Sequence, residues 1–263
     1  MKTSTVRVRR NRIAASATIV TLFAASPFAT HRAEAQILIQ GFDNVSSLTT
    51  QGFVLVNNSF SPPTDGSGSW GQGDPDVFTS QSGAANSYIA VGYQSTGGTD
   101  ATGDTISNWL LTPTVALQNG EALSFYTRTV DALAYADQLQ VRLSTAGSST
   151  NVGSTPLSVG DFSNLLLTIN PNLLTGSENY PTSFTKYSLT LSGLPVGITT
   201  GRFGFRYFVT NSGINGLNGD YIGLDTLSIT NVSAAPEPAS LVLLALSSLP
   251  AISIAVRRRS RAS

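Results

Sequence analysis

The side chains able to do chemistry in this chain are few, and their types set narrow limits. Cysteine is absent, and the single histidine, His31, falls in an N-terminal segment whose pattern predicts removal. What remains has no Ser-His-Asp or Cys-His pair, no histidine-ligated zinc and no histidine general base. Carboxylates are left. Residues 36–235 hold two glutamates, Glu121 and Glu178, and no Glu-x-Asp-x-Glu run, so the paired carboxylates of a glycoside hydrolase have no evident source. The reading is of a protein that is not an enzyme. Asp225 alternates in period two with Leu227 and Ile229, and Asp43 continues the face of Ile37 and Ile39, so both are expected to point inward. An inward carboxylate needs hydrogen bonds or a cation. With the first and last strands side by side, Asp43 and Asp225 would meet and hold Ca²⁺, the one cofactor suggested; otherwise each caps loop amides or pairs with Arg202 or Arg206. Trp70, Tyr93, Tyr135 and Tyr180 fall in expected loops, where such rings either stack on sugars or pack beneath the loop.

The elements that must position these residues read as strands. From Gln36 to Ser233 the chain is rich in Gly, Ser, Thr and Asn with short alternating apolar runs, an all-β pattern. Strands are expected at 37–39, 88–91, 108–111, 122–129, 138–144, 185–191, 202–209 and 221–230, with residues 57–87 mostly loop. Leu139, Val141 and Leu143 share a face, as do Tyr187, Leu189 and Leu191, and Phe203, Phe205, Tyr207 and Val209. One helical turn is expected over 161–169, with Asp161 as its cap. Asn119-Gly120, Asn215-Gly216 and Asn218-Gly219-Asp220 mark turns. Eight or more short strands with long loops predict a jelly-roll-like two-sheet sandwich over 36–233.

Both ends read as addresses. Lys2, Arg7, Arg9, Arg10 and Arg12 precede an apolar run from Ile13 to Ala29, and Ala33-Glu34-Ala35 fits a small-x-small cleavage site before Gln36, so residues 1–35 read as a signal peptide. The expected partners there are the Sec translocon and signal peptidase. At the other end, residues 239–256 carry no charge and are followed by Arg257, Arg258, Arg259 and Arg261. Eighteen residues at about 1.5 Å each reach roughly 27 Å, just enough to span a bilayer as a single transmembrane helix, with the arginines as a basic stop-transfer cluster on the cytoplasmic side. The termini also hide the charge of the middle. Ten of the fifteen basic residues and two of the fifteen acids (Glu34, Glu237) lie outside 36–235, which leaves 5 − 13 = −8. A surface of that sign argues against nucleic acid as a partner.

Pro236-Glu237-Pro238, a short apolar helix and a terminal arginine cluster, in that order over residues 234–263, resemble the PEP-CTERM sorting tail of Gram-negative envelope proteins. That resemblance implies processing near Pro-Glu-Pro by the membrane protease exosortase. A second resemblance rests on Asn108-Trp109-Leu110-Leu111-Thr112-Pro113, Leu123-Ser124-Phe125-Tyr126, residues 137–147 and Tyr221-Ile222-Gly223-Leu224-Asp225-Thr226-Leu227. These look like the choice-of-anchor J domain, which is similar to cleaved-adhesin and MAM-like jelly rolls. Together the resemblances imply an exported, non-catalytic protein of the cell envelope or extracellular matrix, transiently membrane-anchored and linked to exopolysaccharide or biofilm. The alternative is a membrane-anchored adhesin or carbohydrate-binding module, with polysaccharide or envelope proteins as partners; a carboxylate glycoside hydrolase comes third.

Overall fold

The computed structural model describes residues 34–97, 103–131, 134–196 and 199–232. The signal peptide, Ala33 of the cleavage site, Pro236-Glu237-Pro238, the helix expected at 239–256 and the arginines after it lie outside the described residues. Among the described residues no helix is long and apolar enough to cross a membrane.

Twelve strands build the described residues: β1 (Glu34–Gln40), β2 (Val54–Asn57), β3 (Gly71–Gln72), β4 (Ile89–Gly92), β5 (Asp104–Leu111), β6 (Val115–Leu117), β7 (Ala122–Thr129), β8 (Leu139–Ser144), β9 (Asn164–Ile169), β10 (Thr185–Thr190), β11 (Thr199–Ser212) and β12 (Tyr221–Val232). They form two antiparallel sheets, one ordered β10-β7-β12-β4-β3 with β1 also on β12, the other β2-β5-β11-β8-β9 with β6 also on β11. Each sheet is organised on one long central strand. β12 takes β7 along one edge and β4 and then β1 along the other. β11 likewise takes β8 on one edge and β5 then β6 on the other. Ala35 and Gln36 lie in β1, paired with Asn231 and Thr230, so the expected cleavage point falls at the strand's start.

The alternation seen in the sequence becomes the core. Leu123, Phe125, Leu139, Val141, Leu143, Phe203, Phe205, Tyr207 and Val209 pack between the sheets with Ile222, Leu224, Leu227 and Ile229, and Tyr187 and Leu189 pack against them. Burying each such side chain stabilises the fold by about 1.5–3 kcal/mol before the entropy of ordering is counted. Of residues 57–87, only Asn57, which ends β2, and the two-residue β3 are strand.

One expected element is different in kind. Residues 164–169 form a strand, not a helical turn, paired antiparallel with β8 from Leu139↔Ile169 to Leu143↔Asn164. The open edge of β8 offers unpaired amides and carbonyls, and pairing there outweighs a short helix with one cap. Asp161 caps no helix; it accepts from Ser149 Oγ at 2.5 Å.

The outer faces are covered by loops, each with its own apolar cluster. Phe78, Tyr88 and Ala90 lie over the β12 sheet. Trp109, Leu111, Val152 and Phe162 lie over the β11 sheet. Beside the second cluster Arg206 is 2% exposed and has no acidic partner among the described residues. Its guanidinium lies 3.9 Å from the Phe208 ring centroid and 5.1 Å from that of Trp109, and donates to Ser107 Oγ, Gln140 Oε1 and the Pro156 carbonyl. Burial, with Arg142 nearby, lowers its pKa to about 9.

Glu121 is fully buried at the start of β7, with one carboxylate oxygen accepting from Gln118 N–H at 3.2 Å and the other without a partner. The register Thr230↔Ala122 carries Asn231 to the position opposite, and its Oδ1 is also unpaired. Burial raises the Glu121 pKa from 4.5 to about 7. The folded chain therefore holds a proton that the unfolded chain has released, and stability declines as pH rises from about 4.5 to about 7. Glu121→Gln should abolish that decline and raise stability at pH 8 by about 1–3 kcal/mol, measured by urea unfolding at pH 5 and 8.

Candidate functional site

The loops at one end of the sandwich make a recess, and short-range chemistry places its walls. Gly92 leads β4 into a 3-10 turn at Tyr93–Ser95, and Tyr93 N–H donates to the Asp220 carbonyl at 2.8 Å. Opposite, Gly219 N–H donates to the Ala136 carbonyl at 2.9 Å, and Ala136 bridges Asn218, which sets Tyr135 beside the 212–220 turn. The result is a cleft of about 220 Å³ lined by Tyr93, Tyr135, Ile214, Asp220 and the glycines of that turn. A second cleft of about 370 Å³, walled by Ser69, Asp74, Gln94 and Tyr221, shares Tyr93 and Asp220 with it. Together they fall in the roughly 300–1,000 Å³ range of small-molecule sites. Gly219, at φ +87°, leaves no room for a side chain, since a Cβ would lie 2.3 Å from Ser212 Oγ.

Beneath the cleft lies Asp137, 1% exposed. Thr129 Oγ1 and Tyr207 Oη each donate to it at 2.5 Å, and Asp220 N–H donates at 2.8 Å. Burial raises the Asp137 pKa, and burial together with Asp137 raises that of Asp220 to about 6. Among the described residues no hydrogen bond reaches the Asp220 side chain, whose carboxylate stays available to a ligand.

Of the four aromatic candidates, Tyr93 and Tyr135 stand at the cleft, 36% and 46% exposed. Trp70 and Tyr180 are buried, Tyr180 sharing a 2.8 Å hydrogen bond with Thr127 Oγ1, so they pack beneath loops. Asp137 and Asp220 did not stand out in the sequence: Asp137 adjoins an alternating strand and Asp220 a turn. The signal that could have found them is the Asn-Gly-Asp turn at 218–220, which brings a carboxylate back against the strands.

The inward orientation expected of Asp43 and Asp225 requires a correction. Asp43 is exposed, as is Ile39 at 56%; β1 has a bulge between Gln36 and Leu38, which breaks the alternation that aimed Asp43 inward. Asp225 is fully buried, but on the outer face. A bulge between Asp225 and Ser228, with Thr226 at φ +47°, changes the parity, so Ile222, Leu224, Leu227 and Ile229 all face the core while Asp225 turns under the loop of residues 78–87. There Gln81 N–H and Ser82 N–H donate to Oδ2 at 2.8 and 3.1 Å, and Thr226 N–H donates to Oδ1 at 2.5 Å. Neither aspartate pairs with Arg202 or Arg206: Arg202 donates to the Gly52 and Thr112 carbonyls, and Arg206 to the groups named above. The two do flank one loop, because a Cβ on Gly83 would lie 3.1 Å from Asp43 Oδ1. Ca²⁺ takes six to eight oxygens, and here N–H hydrogens occupy both Asp225 oxygens. Among the described residues no group of three or more acidic or histidine side chains is placed to hold a metal ion.

No protein-family model matches the chain, and no curated protein matches it. Among solved structures, the K3 cleaved adhesin domain of Lys-gingipain from Porphyromonas gingivalis is 20% identical, covering 76% of this chain and 99% of that one, with a TM-score of 0.44. The K1 domain of the same protein is 21% identical, covering 74% and 98%, also at 0.44. The CBM22-1 xylan-binding domain of Paenibacillus barcinonensis Xyn10C is 16% identical, covering 78% and 99%, at 0.37.

Asp225→Asn should lower stability by about 1–3 kcal/mol in urea unfolding, because an amide cannot accept from all three N–H groups. Ca²⁺ should leave the melting temperature of the unsubstituted protein unchanged; a rise that Asp43→Asn abolishes would instead place a cation between the two aspartates.

Proposed function

We propose that this protein is a non-catalytic binding module, an adhesin or carbohydrate-binding domain, that engages its ligand in the cleft between Tyr93 and Tyr135. The observation that carries this is the pairing of two part-exposed tyrosines with an unengaged carboxylate, Asp220, in one recess of a two-sheet sandwich. Tyrosine rings supply apolar faces for the C–H surface of a sugar at small entropic cost, and a carboxylate accepts from its hydroxyls. Such a cleft selects and holds. Hydrolysis would need a second carboxylate set across the bond to be cut; Asp137 is sealed beneath Asp220, and Asp74, the other acid lining these clefts, has one oxygen engaged by Asp76 N–H. Tyr93→Ala and Tyr135→Ala should each weaken binding to a responsive polysaccharide by about tenfold, or 1.4 kcal/mol, in affinity electrophoresis, with melting temperature little changed. Unchanged affinity in both variants would overturn the cleft as the site.

The terminal segments support a setting for this module. The basic head and Ala33-Glu34-Ala35 support export through Sec and signal peptidase, and Pro236-Glu237-Pro238 with residues 239–261 supports transient membrane anchoring followed by exosortase processing. The protein then resides in the envelope or an exopolysaccharide matrix of a Gram-negative bacterium. Intact mass of the protein from its host should end near residues 236–238, and Glu237→Ala should retain residues to Ser263. Retention of the tail in both forms makes the protein a membrane-anchored adhesin.

A further inference from the structure

We infer that the Tyr93–Tyr135 cleft is built for a protonated amine, and that its saccharide ligands are amino sugars with a free ammonium group rather than N-acetylated or acidic sugars. The inference rests on the cleft being the binding site. Among the described residues neither of the two neighbouring clefts is lined by lysine or arginine, while Asp74 and Asp220 line them. The two acids differ in what they have left to give. Asp74 Oδ1 is taken by Asp76 N–H at 2.9 Å, whereas the Asp220 side chain accepts nothing from the described residues.

Geometry keeps Asp220 in that state. Its own N–H is committed to Asp137 and its carbonyl to Tyr93 N–H, so the residue is clamped by its backbone with the carboxylate free. Asp137 adds a second negative group behind it, and the hydroxyls of Tyr207 and Thr129 are spent on Asp137. An arriving ammonium would meet a carboxylate with little competition and the electron-rich rings of Tyr93 and Tyr135, which line the same cleft. Cation–π contact contributes about 0.5–2 kcal/mol as the site is desolvated. A neutral acetamide forfeits both attractions, and a uronate or sulfate meets like charge. A metal ion is the weaker fit, because divalent cations require more oxygens than one free carboxylate supplies. The held-up Asp220 pKa, about 6, reflects the same deficit: a carboxylate part-buried beside Asp137 with no cation to offset it. The net charge of −8 over residues 36–235 (5 − 13) draws a polycationic chain toward the domain at long range.

The test uses the full-length protein in mild detergent, titrated calorimetrically with glucosamine oligomers, N-acetylglucosamine oligomers of matched length and a uronic-acid oligomer. The expected result is at least about tenfold tighter binding of the glucosamine oligomer than of either other ligand. Asp220→Asn should reduce that preference to within about threefold while Tyr93→Ala weakens all binding. Equal affinity for glucosamine and N-acetylglucosamine oligomers would sink the amine inference and leave the cleft standing. If no saccharide binds, both readings fall. Should Asp220→Asn fail to fold, the comparison of oligomers on the unsubstituted protein decides alone.

Discussion

A buried carboxylate with three donors joins the two sheets. Thr129 ends a strand of one sheet, Tyr207 lies mid-strand in the other, and Asp220 precedes the central strand of the first; all converge on Asp137. Removing an ionised carboxylate from water is costly unless its lone pairs are met, and here the donors come from both sheets at once. The sandwich is thereby specified as well as stabilised, because any slide of one sheet against the other strands that charge. The Asp220 N–H belongs to this arrangement, so the wall of the Tyr93–Tyr135 cleft is an extension of the joint between the sheets.

The second constraint is that both sheets carry apolar groups on both faces. Gly223 meets Phe78 and Tyr88 on the outer side of β12, and Trp109 packs with Phe162 outside β5. Two-sided sheets need cover, and among the described residues the cover is loop. Loops cannot be buried without partners for their amides. The acidic and amide side chains supply them: Asp225 takes the N–H groups of Gln81 and Ser82, and Asn58 holds the Gly153 and Thr155 carbonyls. Polar residues that look like site candidates are in several cases ties for these loops.

That is why the strands were legible and the site was not. Strict alternation from Leu139 to Leu143 and from Phe203 to Val209 reports a local period of two, which holds wherever the strand is regular. A bulge adds one residue and reverses every assignment beyond it. Asp225, read against Leu227 and Ile229, came out on the wrong face for that reason. Residues 164–169 illustrate a different failure: nothing within Asn-Leu-Leu-Leu-Thr-Ile states that the edge of β8 is open to receive it. The four aromatics were equivalent in the sequence, each in an expected loop, and which of them a loop folds over depends on the loop's path.

The sequence by itself determined the fold class, the strand cores and the chemistry that residues 36–235 do without, since composition and alternation act locally and need no partner. It also carried the patterns at both ends, a basic head with an apolar run and Pro-Glu-Pro with an uncharged run and arginines, because charge and apolar length are properties of a segment alone. The tertiary structure decided which acids are ties and which is free, which tyrosines face solvent, and that Tyr93, Tyr135 and Asp220 share one recess. Those are facts about segments more than forty residues apart, and burial and hydrogen bonding between such segments exist only once the sheets have met.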